Sequence, residues 1–398
     1  MMTPKRTWLV AVLASQLVSQ HATAQQQRTP ARSPSREELY YPTRWQWETR
    51  RPEQVGMNAA KLQEVVAFAN ANEAKTHRNG DDLAVILAGE PYNKIVGPTM
   101  ERGPHSGLVV RHGYIALEWG DTRRVDWTFS ATKSYLATTV GLAFDAGLIQ
   151  DLKDPVREYV RDGSFDSPHN ARITWEHLLQ QSSEWQGTLW DKPDWADRFD
   201  PQAGKRPVLE PGSKYTYNDV RVNLAALAAL HVWRKPLPQV LKDRVMDPIE
   251  ASTTWRWHGY ENSWVDLDGE RMQSVSGGGH WGGGLWISAR DHARFGLLHL
   301  RRGKWKGQQL LTEWWIQLAT APSPANPSYG YMWWLNAGKK QLASAPESSF
   351  WAAGGGGNYV WVDRENDLVV VVRWIPNLNG VVERVLAALD PSAAGTPQ

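Results

Sequence analysis

Apolar residues recur every three or four positions in several stretches of the chain, the spacing of helices that bury one face. In the clearest stretch, Leu136, Val140 and Phe144 predict a largely buried helix that begins near Ser130. The same spacing, together with capping residues, predicts further helices: one capped by Asn58, a short one over 175–181, one beginning at Asp219, one that follows Ser288, and one near 381–389.

Strand signals concentrate toward the two ends of the chain. Residues 107–120 predict a β-hairpin with His112 and Gly113 at its turn. Further strands are predicted at 284–287, 329–335, 359–362 and 368–372. Because helices separate the two groups of strands, this order predicts an α+β fold, in which an antiparallel sheet flanked by helices is interrupted by an all-helical domain.

These patterns divide the chain into a discontinuous sheet domain, over 46–149 and 266–398, and a helical domain over 150–265. The first 24 residues have the layout of a signal peptide: basic Lys5 and Arg6, an apolar run, and small residues at 22–24. A flexible leader is expected over 25–45. We therefore predict an exported protein, periplasmic or secreted, without stable membrane insertion after cleavage, because the apolar run is too short to span a bilayer.

Charge and cysteine content narrow the function classes. The 398 residues include 44 basic and 42 acidic side chains, and the excess comes from Lys5 and Arg6 in the first segment. The remaining chain is neutral and has no long basic run, which argues against a nucleic-acid partner. The chain has no cysteine, so disulfides, thiol catalysis and thiolate metal sites are excluded.

Ser130 and Lys133 are the first candidates for chemistry. Three residues apart on a helix, they lie on one face about one turn apart. A serine hydroxyl needs a base to remove its proton, and a lysine can be that base only if burial lowers its pKa toward neutrality. We therefore expect Lys133 to be buried and uncharged. The same pattern also fits a helix cap followed by a solvated lysine, and the spacing alone does not decide between these interpretations.

Other motifs in the chain point to no further chemistry. Gly277 to Gly282 formally matches G-x-G-x-x-G but lacks the strand, turn and helix setting of a dinucleotide site. No G-x-S-x-G elbow is present, which argues against an α/β-hydrolase. The 11 histidines show no metal-ligand spacing, so neither a metal nor a cofactor is expected.

Three segments together resemble the serine β-lactamase and penicillin-binding superfamily, in particular the branch of class C β-lactamases, related esterases and D-aminopeptidases. The first is TFSATKSYL around Ser130, the second is PGSKYTYND ending at Asp219, and the third is WAAGGGG beginning at Trp351. They occur in the family's order, and the resemblance extends over most of residues 50–390. It implies a β-lactamase/transpeptidase-like fold.

By this resemblance Ser130 is the nucleophile, Lys133 accepts its proton, and Tyr217 moves protons to the leaving group. Tyr215 is a rival to Tyr217 in the same segment. The oxyanion hole would use the backbone N–H groups of Ser130 and Gly355. The resemblance thus implies a serine acyl hydrolase that cleaves a small-molecule ester, amide or peptide.

Two departures from the family's motifs bear on the substrate. Asp219 stands where the family often has Asn, and it fits a helix N-cap better than a substrate contact. Ala352-Ala353-Gly354 replaces Lys-Thr-Gly and removes the groups that would hold a penicillin carboxylate. An added acid and a missing cation favour neutral or cationic substrates. Gly354 and His280 are further candidates to face the substrate, although His280 also fits a structural histidine.

Two alternatives remain open at this stage. One is a β-lactamase or D,D-peptidase that acts on β-lactams or peptidoglycan-like substrates. The other is a non-catalytic relative that binds a partner, against which the intact Ser-Lys-Tyr set argues. Neither the physiological substrate nor the oligomeric state follows from the sequence.

Overall fold

The computed structural model describes residues 39–198 and 204–390, so the predicted signal peptide and most of the predicted leader lie outside the described residues. All described residues belong to one unit, which begins at Leu39. The helices of eight residues or more are α1 (Ala59–Ala71), α2 (Gly80–Leu87), α3 (Thr132–Asp145), α5 (Asp219–Trp233), α7 (Ala289–Leu300) and α9 (Leu378–Ala387). Shorter helices are α4 (Trp175–Leu179), α6 (Leu237–Leu241) and α8 (Glu313–Ala319).

The described residues form two main antiparallel sheets. The larger sheet has the order β11-β12-β13-β14-β1-β2, from β1 (Ser106–Arg111), β2 (Tyr114–Trp119), β11 (Trp334–Leu335), β12 (Phe350–Gly354), β13 (Asn358–Asp363) and β14 (Leu368–Arg373). The smaller sheet has the order β3-β8-β6-β7, from β3 (Val125–Trp127), β6 (Arg256–Leu267), β7 (Glu270–Val275) and β8 (Gly284–Ser288). Two short hairpins pair β4 (Thr188–Leu189) with β5 (Lys192–Pro193), and β9 (Lys304–Trp305) with β10 (Gln308–Gln309).

Strand β14 shows how the larger sheet is covered on both faces. Every residue from Leu368 to Arg373 is buried. Because side chains alternate along a strand, Val369 and Val371 belong to one hydrophobic core, whereas Val370 and Val372 belong to the other. Helix α7 contacts β14 and β13, and α1 and α9 contact each other in the second core. The predicted antiparallel sheet flanked by helices is therefore confirmed.

Helix α3 is enclosed by protein over most of its length, because its residues from Thr132 to Ala143 are all buried. It contacts α5, α6, α8 and the end of β12. The Thr132 hydroxyl accepts a hydrogen bond from the backbone N–H of Leu285 in β8, at 3.0 Å, which ties the start of the helix to the smaller sheet. The beginning of α3 is thus fixed from several sides.

The structure confirms several local predictions. Asn58 caps α1 and Ser288 caps α7 through side-chain oxygens that accept from backbone N–H groups. The hairpin β1–β2 turns at His112 and Gly113, both with positive φ. The boundaries of the predicted sheet and helical domains stay predictions.

Other local predictions were wrong. Only Trp334–Leu335 of the expected strand at 329–335 is a strand, and Arg256–Leu267, which crosses the end of the predicted helical domain, is a strand paired with β8. Asp219 does not cap α5. Asn218 is the N-cap, and its side-chain oxygen accepts from the backbone N–H of Arg221 at 2.8 Å. No helix within the described ranges is long and apolar enough to cross a membrane.

Candidate active site

Ser130 lies in a tight turn between β3 and α3. The turn is a short 3-10 helix, Phe129–Ala131, which leads directly into Thr132 of α3. Phe129 has φ of 48°, a left-handed conformation that is costly for a residue with a side chain. Its ring packs against Trp127 and His77, with centroid distances of 4.7 and 5.0 Å. This packing holds the turn and presents Ser130 at the end of the buried helix.

Lys133 joins Ser130 to a carboxylate. Its Nζ donates to Ser130 Oγ at 2.8 Å and to Asp219 Oδ1, also at 2.8 Å. The side chains of Lys133 and Asp219 are only 2% and 4% exposed, so the pair is shielded from water. Lys133 therefore lies beside Ser130 in a buried position, as the sequence predicted.

The expectation that Lys133 is uncharged was wrong. Burial alone lowers the pKa of Lys133, but the carboxylate of Asp219 and the phenol of Tyr217 outweigh it, and the pKa is raised above its usual value. Burial alone raises the pKa of Asp219, but Lys133 and then His280 outweigh it, and the pKa is lowered. At neutral pH the two groups therefore form an ammonium–carboxylate pair. The sequence could not show this, because the partners are 86 residues apart.

Tyr217 closes the site on the other side of Lys133. The Lys133 ammonium lies 4.5 Å from the centroid of its ring, a cation–π contact. Burial raises the pKa of the Tyr217 phenol, and interactions with Lys133 and Ser130 oppose this only in part. The phenol is accordingly protonated at neutral pH. Tyr215 packs against Tyr329 at 5.1 Å and, unlike Tyr217, is not among the described residues that line the cleft at Ser130.

Further charged groups lie behind Asp219. His280 Nδ1 is 3.7 Å from Asp219 Oδ2, and His280 Nε2 is 2.6 Å from Glu90 Oε1. Burial lowers the pKa of His280, but Glu90 and Asp219 outweigh it, and the pKa is raised. The second oxygen of Glu90 accepts from Trp281 Nε1 at 3.1 Å. A connected series of acidic and basic side chains thus runs from Glu90 through His280 and Asp219 to Lys133.

Asp197 lies at the start of α5, on the same side as Asp219. Its carboxylate accepts from the backbone N–H of Asp219 at 2.6 Å and from Asn218 Nδ2 at 2.9 Å. Burial and then repulsion from Asp219 raise the pKa of Asp197 to about 6. This carboxylate holds the first turn of α5 in place and titrates close to neutral pH.

Gly278 packs directly on the ion pair. A β-carbon at this position would lie 1.8 Å from Asp219 Oδ1 and 2.4 Å from Lys133 Nζ. Two neighbouring amides are fixed: that of Gly277 donates to Asn223 Oδ1, and that of Gly279 to Ser276 Oγ, both at 2.9 Å. The glycine-rich segment that formally resembles a nucleotide motif is therefore the floor beneath the Lys133–Asp219 pair.

Ser130 opens onto a cleft of about 320 Å³. No charged side chain is among the described residues that line it, which are Ser130, Tyr217, Trp334, Gln341, Trp351, Ala353, Gly354, Gly355 and Tyr359. Gly354 permits a close approach of β12 to the serine turn, because a β-carbon there would lie 2.0 Å from the carbonyl oxygen of Thr128. The serine, the tyrosine and the third motif therefore meet at one cleft.

The predicted site residues divide into two groups. Ser130, Tyr217, Gly354 and Gly355 line the cleft, whereas Lys133, Asp219 and His280 lie behind it. The added acid cannot attract a cationic substrate as the sequence suggested, because Asp219 is buried and paired. Glu90, Asp197 and Gly278 were not predicted, although the run of glycines at 277–279 does signal a close approach of backbone to another group.

No group of three or more His, Asp or Glu side chains suited to a metal ion occurs within 39–198 and 204–390. Among those residues the acids nearest Ser130 bind Lys133, His280 and backbone N–H groups instead. The groups that the structure places around Ser130 are the Lys133 ammonium, with Asp219 behind it, and the Tyr217 phenol.

Comparison with known proteins identifies the same family that the three sequence motifs resemble. The family model described as Beta-lactamase matches residues 122–385, which include all three motifs. The chain is also 22% identical over 269 residues to an uncharacterized protein of Alkalihalophilus pseudofirmus, an alignment that covers 61% of this chain and 71% of that protein.

Solved structures show a similar fold. A family VIII carboxylesterase aligns with a TM-score of 0.56 and 18% identity, over 84% of this chain and 98% of that one. A β-lactamase of Mycobacterium bovis aligns with a TM-score of 0.52 and 19% identity, over 77% and 98% of the two chains. The family match covers well over half of the sequence, and the chain belongs to the β-lactamase family, with the β-lactamase/transpeptidase-like fold.

Proposed function

We propose that this protein is a serine acyl hydrolase that cleaves esters or small amides through an acyl-enzyme on Ser130. The observation that carries the proposal is the 2.8 Å hydrogen bond from Lys133 Nζ to Ser130 Oγ at the edge of an open cleft. A solvated lysine, the alternative interpretation of the motif, is not supported, because Lys133 is 2% exposed. A nucleophile beside a buried basic group is the usual arrangement for covalent acyl transfer.

In this proposal Ser130 attacks the carbonyl carbon, and its proton passes toward Lys133. The backbone N–H groups of Ser130 and Gly355, two residues that line the same cleft, stabilise the oxyanion. The protonated phenol of Tyr217 supplies a proton to the leaving group. Water then attacks the acyl-enzyme and releases the acid.

The cleft favours substrates with a neutral, apolar acyl group. Four aromatic side chains line it, and its lining residues include no cation that could pair with a substrate carboxylate. One of the structural neighbours is a carboxylesterase, which is in keeping with ester hydrolysis. At 18% identity, the similarity to that protein supports the same fold and says nothing about the substrate of this chain.

The experiment compares two p-nitrophenyl esters whose acyl chains have equal length, the butyrate and the hemisuccinate. We expect hydrolysis of the butyrate with kcat/KM about 10-fold or more above that of the anionic ester, since a buried unpaired charge is costly. Ser130→Ala should abolish turnover and labelling by a fluorophosphonate probe.

Two results would contradict the proposal. A folded wild-type protein that neither hydrolyses the butyrate nor reacts with the probe would favour a non-catalytic relative. Rapid turnover of a chromogenic cephalosporin, together with slow ester hydrolysis, would favour a β-lactamase or D,D-peptidase.

A further inference from the structure

Lys133 presents a problem for the proposed reaction. A base must offer a lone pair, yet the buried Lys133 is an ammonium held by Asp219 at 2.8 Å. It must therefore lose one proton before or while it accepts the proton of Ser130. The destination of that proton decides how the serine is activated.

The surroundings leave few destinations. Direct transfer to solvent is hindered, because the side chains of Lys133 and Asp219 are only 2% and 4% exposed. The Tyr217 ring lies over the ammonium and its phenol interacts with both Lys133 and Ser130. The raised pKa of that phenol keeps it protonated, so it does not offer the free lone pair of a phenolate. Asp219 Oδ1 already accepts a hydrogen bond from Lys133 Nζ and is an ionised carboxylate. It is the acceptor within reach.

We propose that Asp219 is the proton partner of Lys133, so that transfer inside the buried pair produces the free amine that activates Ser130. This inference rests on the proposed function. It assigns Asp219 as a positioning and proton-holding residue, which acts through Lys133 and does not line the substrate cleft. An amide at this position could hold the lysine but could not take a proton from it.

The proton and electron changes balance. One N–H bond of Lys133 breaks and an O–H bond forms on Asp219. The Oγ–H bond of Ser130 breaks, and its proton restores the third N–H bond of Lys133. Oγ forms a bond to the carbonyl carbon, whose π electrons move to the oxygen. The charge lost from Asp219 therefore reappears on the oxyanion, and the net charge of the site is unchanged.

Burial favours this transfer. Removal from water destabilises both charged groups of a pair, so a neutral amine and carboxylic acid become more accessible in a dry site than in solvent. The backbone of Gly278 packs so close to both groups that even a β-carbon would not fit between them, and this leaves no room for water on that side. Asp197 also fixes Asp219 in position, because its carboxylate accepts a hydrogen bond from the backbone N–H of Asp219 at 2.6 Å.

Other groups around Asp219 set how readily it takes a proton. His280 lowers the pKa of Asp219 and so opposes its protonation, while the other side of the His280 ring lies 2.6 Å from Glu90 Oε1. Asp197 favours protonation by repulsion. The titratable and charged groups that interact with Asp219 are Lys133, His280, Asp197, Tyr217, Tyr260 and Tyr329.

The first test is Asp219→Asn, with the rate of fluorophosphonate labelling measured between pH 5 and 10. Without its counter-ion the buried Lys133 should lose its proton within this range, since burial lowers a lysine pKa by up to about 3–5 units. The wild-type-to-variant rate ratio should then be roughly 100-fold or more at low pH, in line with loss of a general base, and should fall as the pH rises. A ratio that stays constant across the range would overturn the proposal.

Because Asp219 raises the pKa values of His280 and Asp197, both groups should titrate at lower pH in the variant, and the increase in labelling rate toward higher pH is the signal of Lys133. The matched control is Glu118→Gln. It makes the same acid-to-amide change in a different ion pair, the one between Glu118 of β2 and Arg290 of α7. It should leave the labelling rate at the wild-type value at each pH. Circular dichroism checks that each variant is folded.

A second measurement needs no variant and covers the case in which Asp219→Asn does not fold. The wild-type labelling rate is measured in mixtures of light and heavy water. Two protons in transit, Ser130 to Lys133 and Lys133 to Asp219, should give a curved dependence on deuterium content. A linear dependence, which indicates one proton, would overturn the inference while leaving the serine hydrolase intact. No labelling of the wild type at all would instead refute the proposed function.

Discussion

Gly278→Ala tests whether the Lys133–Asp219 pair organises the site. The substitution adds one methyl group, at a position where a β-carbon would lie 1.8 Å from Asp219 Oδ1 and 2.4 Å from Lys133 Nζ. Both distances are far inside van der Waals contact, so the two side-chain ends that form the 2.8 Å hydrogen bond must shift to admit the methyl group. The variant keeps both charged residues and forces them apart.

The size of the effect follows from the burial of the pair. Removing one partner of a buried ion pair costs about 3–5 kcal/mol, and forcing the two partners apart should cost up to that amount. A typical domain is stable by only about 5–15 kcal/mol, so this loss is a large fraction of the total. Activity should fall as well, because Lys133 Nζ would no longer lie 2.8 Å from Ser130 Oγ.

The assay is urea unfolding followed by tryptophan fluorescence, together with ester hydrolysis at pH 7. Gly80→Ala is the matched control, because its β-carbon would meet only the side chain of Thr99, whose rotatable hydroxyl is the nearest atom at 2.8 Å. We expect the control to change stability by less than about 1 kcal/mol and to keep wild-type activity. If Gly278→Ala behaves like the control, the pair does not have the packing or the role that we assign to it.

Three further variants test the electrostatics of the site. In Lys133→Met, burial would raise the pKa of Asp219 above its value in the unfolded chain, so the variant should lose stability relative to wild type as the pH rises from 5 to 8. Urea midpoints that differ from wild type by the same amount at both pH values would contradict this. The pKa of Asp197 is about 6 in the folded protein, so the contribution of Asp197 to wild-type stability should decline between about pH 4 and 6. The unfolding free energy of Asp197→Asn, measured relative to wild type, should therefore be more favourable at pH 8 than at pH 4. Ala353→Lys places a cation in the cleft and should raise kcat/KM for p-nitrophenyl hemisuccinate relative to that for the butyrate by about 10-fold. An unchanged ratio would show that the acyl group binds elsewhere.

The parts of the fold that could be predicted are those fixed by local pattern. Helix α3 follows from apolar residues at helical spacing, and the β1–β2 hairpin follows from two strand-like runs around His112 and Gly113. Strand β6 was missed, because its buried positions do not alternate regularly. It forms a hairpin with β7 across Asp268 and Gly269, both with positive φ, so the sequence did carry a local turn signal for it. Its second partner, β8, is separated from it by β7 and leaves little trace in the sequence.

Candidate residues were predicted more reliably than their charge states. The spacing brought Ser130 and Lys133 together correctly, since residues three apart on a helix share a face. The state of Lys133 depends on Asp219, which local capping preference assigned to the helix terminus instead. Asn218 satisfies that terminus, so the neighbouring acid is free to pair with a distant lysine.

The two departures from the family's motifs are connected through charge. An acid at 219 neutralises Lys133 inside the protein, so that the buried ammonium offers little net attraction to an anionic substrate. Ala352 and Ala353 leave the third motif without a cation as well. Each change alone would weaken the binding of a substrate carboxylate, and together they leave the described lining of the cleft without positive charge. In the reaction that we propose, such a cleft would select acyl groups by shape and aromatic contact, and the proton that Lys133 gives up would have to stay on another group of the protein.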